Sequence, residues 1–389
     1  MNAAASTQTF PAGTLDTAGT PALVLDLARA ERNIARLRGR LAALRVGFRP
    51  HVKTAKSVEA AALLFPDGGR GPITVSTVKE AEHFAEAGFT DITYAVGLAP
   101  DKIARLQALV ARGVAVDVVI DTAEQARALA QAAASGPLPG VLIEIDCDGH
   151  RGGLVPDDPR IVAIADILRA GGVALRGVLT HAGESYACRG GVGLAEAAEA
   201  ERAAAVAAAE RLRGHGHAVA VVSVGSTPTA HFARDLDGVT EVRAGVFMFF
   251  DLVMHGIGVC TPDDIALSVL ATVIGHKPEK GWVLIDAGWM AMSRDRGTAR
   301  HPVDQGYGLV CDIDGAVFPD LIVADANQEH GIVALRPGSA AVLPDLPIGS
   351  RVRILPNHAC ATGAQHERYE VVRSGSRAIV VAWPRMRGW

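Results

Sequence analysis

The sequence predicts an α/β fold in which a TIM-type (β/α)8 barrel is followed by a mostly β C-terminal domain. Two observations lead to this prediction. Apolar runs rich in β-branched residues alternate with helical segments over residues 27–260, and this alternation fades after Cys260. Strands that alternate with helices form a parallel sheet, and eight such strands are enough to close a barrel of ordinary size.

The barrel prediction depends on eight apolar runs and on the segments between them. The runs lie near residues 45–50, 73–76, 92–95, 116–120, 141–146, 176–180, 219–224 and 240–243. The intervening segments have helical spacing and include Leu27–Leu44, Val58–Leu64, Val78–Ala87, Asp101–Ala111, Thr122–Ala134, Pro159–Ala170 and Gly193–Arg213. A doubly wound open sheet is the alternative, but no G-x-G-x-x-G motif follows the first strand.

Beyond Cys260, short β-rich runs are separated by Gly, Pro and Asp, which indicates a mostly β domain. These runs include Ala266–Ile274, Trp282–Asp286, Ile332–Ala334 and Arg351–Leu355. The segment Thr20–Asp26 is predicted to be a further strand that joins this domain. The predicted organisation is therefore an N-terminal segment 1–26, a barrel 27–260 and a C-terminal β domain 261–389.

Composition excludes several classes of protein. The chain of 389 residues is 49% hydrophobic and 21% charged, with a net charge of −4 and mixed signs, so neither nucleic-acid binding nor a charged tail is expected. No apolar stretch reaches the roughly 18 residues that a membrane span requires. The stretch Met1–Thr20 lacks the basic start and apolar core of a signal peptide. Five scattered cysteines are typical of reduced thiols in a cytoplasmic protein.

Lys53 is the most informative single residue. It lies in the segment Arg49–Lys56, directly after the apolar run Val46–Phe48 at the end of the first predicted barrel strand. A partly desolvated amine has a lowered pKa and can form a Schiff base with a carbonyl. For a lysine taken alone, an ordinary strand-to-helix loop is the commoner explanation.

Polar groups follow four further strands of the predicted barrel, at the face where the active sites of such barrels lie. They are found in Glu144–Arg151, Thr180–Gly183, Gly225–Thr229 and Arg243–Gly245. Gly225, Ser226 and Thr227 offer backbone N–H groups and two hydroxyls at a helix start, with Pro228 in its first turn, which suits a phosphate. Gly245 could bring a second N–H to the same anion. The alternative is an ordinary N-cap at Ser226 or Thr227.

His358 and Cys360 form the second chemical signal. Residues at i and i+2 of an extended segment face the same side, and imidazole and thiolate are both good zinc ligands. For a single H-x-C pair, a loop histidine and a buried cysteine are the commoner explanation.

These motifs resemble those of one enzyme family. Thr20–Leu27, Arg49–Lys56, Thr180–Gly183, Val224–Thr229 and Pro356–Cys360 resemble segments of the D-threonine aldolases and D-serine dehydratases. These are metal-activated, fold-type III (alanine racemase-like) enzymes that use pyridoxal 5'-phosphate (PLP). In this family, the pattern H-x-D at the metal pair is typical of the aldolases and H-x-C is typical of the dehydratases. The resemblance of His358-Ala359-Cys360 to the second pattern therefore favours dehydration.

The resemblance implies roles for individual residues. Lys53 would carry PLP and act as the base at the substrate Cα, and His181 would pack against the cofactor ring beside Tyr186. Arg151 would contact the phenolic oxygen of PLP or the substrate carboxylate. His358 and Cys360 would hold a divalent metal, zinc foremost, with manganese and cobalt as alternatives. The segment Asp325–Gly331 would reach a second active site across a dimer interface, unless it is a polar turn between strands.

The function that follows is a PLP- and metal-dependent dehydratase, an ammonia-lyase. It would convert a D-3-hydroxyamino acid into a keto acid and ammonia. D-threo-3-hydroxyaspartate, D-serine and D-threonine all remain open as substrates, and Arg294, Arg296 and Arg300 are candidates for contacting a second carboxylate. The alternatives are a D-threonine aldolase and, in another class, a non-catalytic PLP-binding protein. The expected assembly is a cytoplasmic homodimer with shared active sites.

Overall fold

The structure is a computed structural model that describes residues 13–389. The strands in chain order are β1 (Ala22–Asp26), β2 (Gly47–Phe48), β3 (Ile73–Val75), β4 (Asp91–Gly97), β5 (Ala115–Ile120), β6 (Gly140–Ile145), β7 (Leu175–Thr180), β8 (Val221–Val224), β9 (Glu241–Val242), β10 (Leu267–Lys277), β11 (Trp282–Ile285), β12 (Gly308–Asp312), β13 (Val317–Ala326), β14 (Gly331–Leu335), β15 (Arg351–Pro356), β16 (Arg368–Val372) and β17 (Val381–Pro384).

The helices are α1 (Leu27–Ala43), α2 (Val58–Ala62), α3 (Val78–Glu86), α4 (Ile103–Ala111), α5 (Ala123–Ala132), α6 (Arg160–Ala170), α7 (Gly190–Gly214), α8 (Thr227–Phe232), α9 (Leu252–Gly256), α10 (Trp289–Met292) and α11 (Ala359–Gly363). Short 3-10 turns cover Pro66–Gly68, Pro100–Lys102, Ala133–Ser135, Gly183–Ala187, Val246–Met248, Pro262–Asp264 and Pro278–Lys280.

Strands β2 to β9 form a closed parallel barrel. The eight-stranded sheet runs in the order β2-β9-β8-β7-β6-β5-β4-β3. His51, just after β2, forms a parallel bridge with Thr74 of β3, and the Val52 N–H donates to the Thr74 carbonyl at 2.9 Å. Each of the eight predicted apolar runs overlaps one of these strands. The predicted barrel is confirmed, and the open-sheet alternative is wrong because this bridge joins the two ends of the sheet.

The helices of the barrel begin where the sequence provides caps. The Thr77 hydroxyl accepts a hydrogen bond from the Glu80 N–H at the start of α3, at 3.0 Å. Thr122 and Gln125 form a reciprocal capping box at the start of α5. Such caps satisfy N–H groups that the first turn leaves without partners. They fix where each helix starts, and so how the chain leaves the end of the preceding strand.

Strands β10 to β15 build a second, antiparallel structure. Strand β10 pairs with both β11 and β15, and the order β11-β14-β13-β12-β15 completes a closed ring of six strands. Strand β1 extends this sheet, antiparallel to β10 and parallel to β16. The predictions of a mostly β C-terminal region and of an N-terminal strand that joins it are therefore both confirmed.

The chain forms two compact units. Of the described residues, the barrel unit comprises 34–247, 257–259 and 386–389, and the β unit comprises 13–33, 248–256 and 260–385. Helix α1 therefore begins in the β unit and ends in the barrel unit. The predicted partition into domains 1–26, 27–260 and 261–389 stays a prediction.

Two composition-based predictions can be compared with the structure. All five cysteines are free thiols, so the chain has no disulfide framework. Within residues 13–389, no helix is both long and apolar enough to cross a membrane. The expectation that Met1–Thr20 is not a signal peptide falls largely on residues 1–12, which lie outside the described residues.

Candidate active site

Lys53 lies where the chain leaves the carboxyl end of β2. Its backbone N–H contacts the His51 Nδ1 at 3.4 Å, and the turn closes with a 2.9 Å hydrogen bond from Lys56 N–H to the Val52 carbonyl. The side chain of Lys56 is committed elsewhere, because its Nζ lies 2.9 Å from the buried carboxylate of Glu80. Of the two lysines in this segment, Lys53 is therefore the better placed for chemistry.

His51 adds a neutral imidazole beside Lys53. Its Nε2 lies 3.4 Å from the Ser76 hydroxyl. Burial, and then the charges of Lys53 and Arg243, lower the pKa of His51 well below its usual range. The ring is therefore uncharged near neutral pH and does not repel the lysine ammonium. The prediction named Lys53 but not His51, although the two-residue spacing at a strand end is a signal that could have pointed to it.

His181 directly follows β7 and is also held neutral. Its Nδ1–H donates to the Gly225 carbonyl at 2.9 Å, which leaves Nε2 as the ring's acceptor nitrogen. Burial is the main cause that lowers the pKa of His181 to about 3, and the nearby Lys53 and Arg151 contribute to this shift. Tyr186 lies beside it, with ring centroids 6.3 Å apart. The structure thus brings Lys53, His181 and Tyr186 into one region of the barrel unit.

Helix α8 follows β8 and starts in the predicted phosphate segment. The side chain of Ser226 caps this helix by accepting the Thr229 N–H, and the Ser226 N–H donates to the Thr229 hydroxyl at 3.0 Å. Both polar groups of Ser226 are therefore used within the cap, as the N-cap alternative predicted. Thr227 is different, because its Oγ1 is buried and has no hydrogen-bond partner among residues 13–389.

Two glycines allow the backbone to approach closely at this end of the barrel. Gly225 has φ +139°, and a Cβ at this position would lie 2.0 Å from the Arg243 carbonyl oxygen. A Cβ on Gly245 would lie 3.2 Å from the His51 carbonyl and 3.3 Å from the Thr54 hydroxyl. The Gly225 N–H already donates to Glu201, so the contribution of Gly225 is the absence of a side chain. These glycines keep β8, β9 and the Lys53 turn close together.

Arg243 is a buried cation that was not among the predicted site residues. Its Nη2 donates to the Thr180 carbonyl, whereas its Nη1 has no hydrogen-bond partner within the described part of the chain. Burial lowers the pKa of Arg243 to about 10, so it stays protonated. The segment Arg243–Gly245 was predicted to lie at the active-site face after the eighth strand, but no role was predicted for Arg243 itself.

Arg151 lies in the turn after β6. The Asp146 carboxylate shapes this turn by accepting the N–H groups of Asp148 and Gly149 at 3.1 and 2.7 Å. The Arg151 side chain is 52% exposed, and its Nη2 lies 3.8 Å from the Glu144 carboxylate. Arg151 is therefore only loosely tethered and accessible from solvent, which suits contact with a bound molecule.

These groups of the barrel unit fit a phosphate-bearing aldehyde cofactor. Thr227 Oγ1 and Arg243 Nη1 are buried polar atoms with no partner in the described chain, and such atoms cost free energy unless something binds them. Thr227 also begins a helix, where backbone N–H groups favour an anion. Lys53 supplies the amine for a carbonyl, and His181 supplies a neutral aromatic face. The residues present thus fit PLP.

His358 and Cys360 lie in the β unit, after β15. The prediction put both on an extended segment, and this is wrong, because β15 ends at Pro356 and His358 is the extended N-cap of α11, with Cys360 in its first turn. The two side chains nevertheless hydrogen-bond each other. The His358 Nδ1 lies 2.7 Å from the Asp295 carboxylate.

The charges around His358 favour a cation. Burial lowers its pKa, but Cys360 and Asp295 outweigh this effect and raise the pKa of His358 to about 11. Asp251 adds a buried carboxylate near the same ring and accepts the Ala359 N–H at 3.0 Å. An imidazole oriented by a carboxylate beside a thiol is a usual metal-ligand arrangement. Among the described residues, however, no group of three or more His, Cys, Asp or Glu side chains is placed to hold a metal.

The remaining candidates of the β unit have separate surroundings. Arg296 pairs with Asp304 at 2.6 Å, Arg294 stacks 4.7 Å above the Trp289 ring, and Arg300 is exposed. The segment Asp325–Gly331 forms the hairpin between β13 and β14, as the polar-turn alternative predicted. Its predicted role at a second active site stays a prediction.

Comparison with known proteins identifies the family. Residues 25–253 match the family "Alanine racemase, N-terminal domain", and residues 266–372 match the "Putative serine dehydratase domain". The chain is 54% identical to D-threo-3-hydroxyaspartate dehydratase of Delftia sp. strain HT23 over 380 residues, which cover 97% of this chain and 99% of that protein. It is 32% identical to D-threonine aldolase of Arthrobacter sp., covering 94% of this chain and 92% of that protein.

A solved structure agrees with these matches over the full length. A cysteine-to-alanine variant of D-threo-3-hydroxyaspartate dehydratase in its metal-free form has a TM-score of 0.93 and 52% identity, covering 97% of this chain and 100% of that one. The barrel and the β unit are thus both accounted for by one known architecture. The chain belongs to the alanine racemase-like family of PLP-dependent enzymes, in the group that also carries the serine dehydratase domain.

Proposed function

We propose that this protein is a PLP- and divalent-metal-dependent dehydratase that converts a D-3-hydroxyamino acid into a keto acid and ammonia. One observation carries the choice of reaction. The imidazole of His358 and the thiol of Cys360 are in contact and lie beside the carboxylate of Asp295. A nitrogen–sulfur pair in an anionic setting suits a Lewis-acidic cation, and such a cation would assist the loss of a β-hydroxyl because hydroxide leaves poorly.

Residues of the barrel unit would hold PLP. Lys53 would carry it covalently, the Thr227 hydroxyl and the N-terminus of α8 would bind its phosphate, and His181 would lie against its ring beside Tyr186. Gly225 and Gly245 would let the loops that carry these groups pack closely together, and the Ser226 side chain supports the helix cap. When bound, PLP supplies an electron sink for the negative charge that develops at the substrate Cα.

The proton is handled by residues of this chain. The amine of Lys53 would remove the Cα proton. The lowered pKa of His51 and of His181 makes both imidazoles weak bases, so Lys53 would be the stronger base in this region. Arg151 would bind the substrate carboxylate or the phenolic oxygen of the cofactor, and its exposure makes it available for either.

His358 and Cys360 would hold the metal, with zinc as the leading candidate and manganese or cobalt as alternatives. Asp295 would orient the His358 ring through Nδ1, as carboxylates beside metal-binding histidines generally do. The cation would supply a Lewis acid for the departing β-oxygen. Two protein ligands leave coordination positions open, which is typical of a catalytic rather than a structural zinc.

A D-threonine aldolase activity is the second candidate, because a relative with that activity matches 94% of this chain. Retro-aldol cleavage would release glycine and an aldehyde instead of ammonia. The H-x-C pair at positions 358 and 360 favours the dehydratase, since the family resemblance associates H-x-D with the aldolases.

The deciding experiment is a product assay. Purified protein is incubated with D-threo-3-hydroxyaspartate, D-serine and D-threonine in turn, and keto acid, ammonia, glycine and aldehyde are measured in the same samples. We expect equal amounts of keto acid and ammonia with no glycine, and no reaction of the L-enantiomers. Glycine released in step with aldehyde would replace the dehydratase proposal with the aldolase. The predicted cytoplasmic homodimer with shared active sites stays a prediction.

A further inference from the structure

Glu201 is a buried carboxylate that the proposed mechanism does not use. It lies in the middle of α7 and is 1% exposed. Other acidic residues of this helix are exposed and form ordinary surface pairs, such as Glu199 with Arg202 and Glu210 with Arg213. A buried carboxylate costs free energy unless hydrogen bonds or charges compensate it. Its position therefore calls for an account beyond helix formation.

Three donors from two loops of the barrel unit converge on this carboxylate. Glu201 Oε1 accepts the Ala182 N–H at 2.8 Å and the Gly225 N–H at 3.0 Å. Glu201 Oε2 accepts the Thr229 hydroxyl at 2.7 Å. Burial raises the pKa of Glu201, and these three hydrogen bonds act against that rise.

The three donors belong to the loops that carry the candidate cofactor contacts. Ala182 follows His181 in the chain, and Gly225 supplies the carbonyl that accepts the His181 Nδ1–H. Thr229 lies in the first turn of α8, two residues after Thr227, whose hydroxyl is buried without a partner in the described chain. A single side chain on a long helix thus sets the separation between the loop after β7 and the loop after β8.

We propose that Glu201 is a positioning residue of the cofactor site, which holds the His181 loop and the Thr227 loop at the spacing that PLP binding requires. It touches neither the substrate nor the cofactor and acts through backbone amides and Thr229. This inference rests on the proposed PLP site. It adds a residue to that site which sequence spacing could not reveal, because Glu201 is typical of a helix surface by its local pattern.

Two variants separate position from charge. Glu201→Gln keeps the length, and its amide oxygen can still accept both backbone N–H groups, while its NH2 donates to the Thr229 hydroxyl. Glu201→Asp keeps the charge but withdraws the carboxylate by one methylene, so it cannot reach both loops. Glu210→Gln on the same helix is the matched control, because Glu210 pairs only with Arg213 on the surface.

The experiment measures the Kd of PLP for each apoprotein by visible absorbance, together with the melting temperature without PLP. We expect Glu201→Asp to weaken PLP binding by about tenfold or more, as for loss of hydrogen bonds to a charged group. Glu201→Gln and the control should stay close to the wild-type value. A PLP affinity that is retained in Glu201→Gln but lost in Glu201→Asp would indicate that Glu201 acts by positioning the two loops.

Three results would overturn the proposal. One is a Glu201→Asp protein that melts earlier but binds PLP like the wild type, since that indicates a purely structural role. Another is a Glu201→Gln protein that loses as much PLP affinity as the Asp variant, which indicates that charge is what matters. If the Asp variant does not fold, Thr229→Val removes the Oε2 contact together with the hydrogen bond that the Thr229 hydroxyl accepts from the Ser226 N–H. An unchanged Kd in that variant would be the third. A wild-type protein that binds no PLP would remove the proposed function as well.

Discussion

The two predicted site histidines lie in opposite electrostatic surroundings. His181 of the barrel unit is half-buried and donates to a backbone carbonyl, and desolvation is the main cause that lowers its pKa to about 3. His358 of the β unit is only half-buried, with a side chain 42% exposed, and Cys360 and Asp295 raise its pKa to about 11. The same side chain is therefore neutral in one unit and strongly cation-favouring in the other. Neighbouring charges, rather than burial alone, decide what each ring can do.

This difference matches two kinds of ligand. The barrel site offers neutral rings, the cation Arg243 and a buried hydroxyl at a helix start, and these suit an anionic, aromatic cofactor. The pair in the β unit offers a thiol and an imidazole beside carboxylates, and these suit a divalent cation. If the barrel unit binds the anionic cofactor and the β unit binds the cation, substitutions in the two units should have different effects.

Removing the amine of the barrel site should abolish the reaction. We expect Lys53→Ala to lose turnover by about 10²- to 10⁴-fold or more, because the proposed attachment point of PLP and the proposed base at Cα are the same amine. In the wild type, borohydride reduction followed by fragment mass spectrometry should place the covalent link on Lys53. A link on Lys56 would contradict the assignment to Lys53. We do not expect such a link, because Lys56 is already paired with Glu80.

Removing the metal should stop the reaction without disturbing the binding of PLP in the barrel unit. We expect chelation to abolish dehydration while the visible absorbance of PLP and the melting temperature change little, because the barrel site uses no metal. Zinc, cobalt and manganese should restore activity to different degrees, since a mixed nitrogen–sulfur site selects metals by geometry more than by affinity. Cys360→Ala should not respond to added metal. Metal-free protein that eliminates water at the original rate would refute the Lewis-acid role.

A smaller effect is expected from the carboxylate behind His358. Asp295→Asn keeps the size of the side chain but removes its charge beside Nδ1. We expect metal affinity to fall by about 10- to 100-fold, which is usual when a residue that orients a metal ligand is replaced. Titration with zinc in competition with a chromophoric chelator measures this, and Asp304→Asn, an exposed partner of Arg296, is the control. Equal affinities of the two variants would show that Asp295 does not orient the metal ligand.

Sequence alone could predict much of the barrel and less of the β unit. Alternation found all eight barrel strands because parallel strands are buried on both faces and contain long apolar runs. Strand β12 begins at a glycine, and β13 contains Pro319, Asp320 and Asp325, so their patterns are weak and neither was predicted. Helices α9, α10 and α11, of four or five residues, are too short to show a period.

The sequence predicted those residues of the candidate site that lie in short, continuous motifs. Lys53, His181 and Thr227 each lie within five residues after the end of a barrel strand, so the barrel rule together with the family resemblance pointed to them. Asp295 could not be found in this way, because it meets His358 across 63 residues of chain. The spacing of residues along the chain does not predict a contact, such as that between Asp295 and His358, that forms only when the β unit folds.

The smallest expected effect concerns the buried hydroxyl of the barrel site. Thr227 Oγ1 has no partner among the described residues, so an isosteric valine removes an unsatisfied polar atom. We expect Thr227→Val to leave the stability of the apoprotein unchanged or to raise it by up to ~1 kcal/mol, as for other buried polar groups without partners. PLP affinity should nevertheless fall about tenfold, because the phosphate loses a charge-assisted hydrogen bond worth ~1.5 kcal/mol.

Thermal unfolding of the apoproteins and absorbance titration with PLP separate these two effects. Thr227→Ser keeps the hydroxyl and should bind PLP nearly as well as the wild type. A valine variant that loses stability without PLP would mean that the hydroxyl already serves the fold. A valine variant that binds PLP normally would place the phosphate elsewhere. Either result would contradict the difference that we infer between the two sites. In the barrel site, the Thr227 hydroxyl has no hydrogen-bond partner among the described residues, whereas in the β unit His358 and Cys360 hydrogen-bond each other.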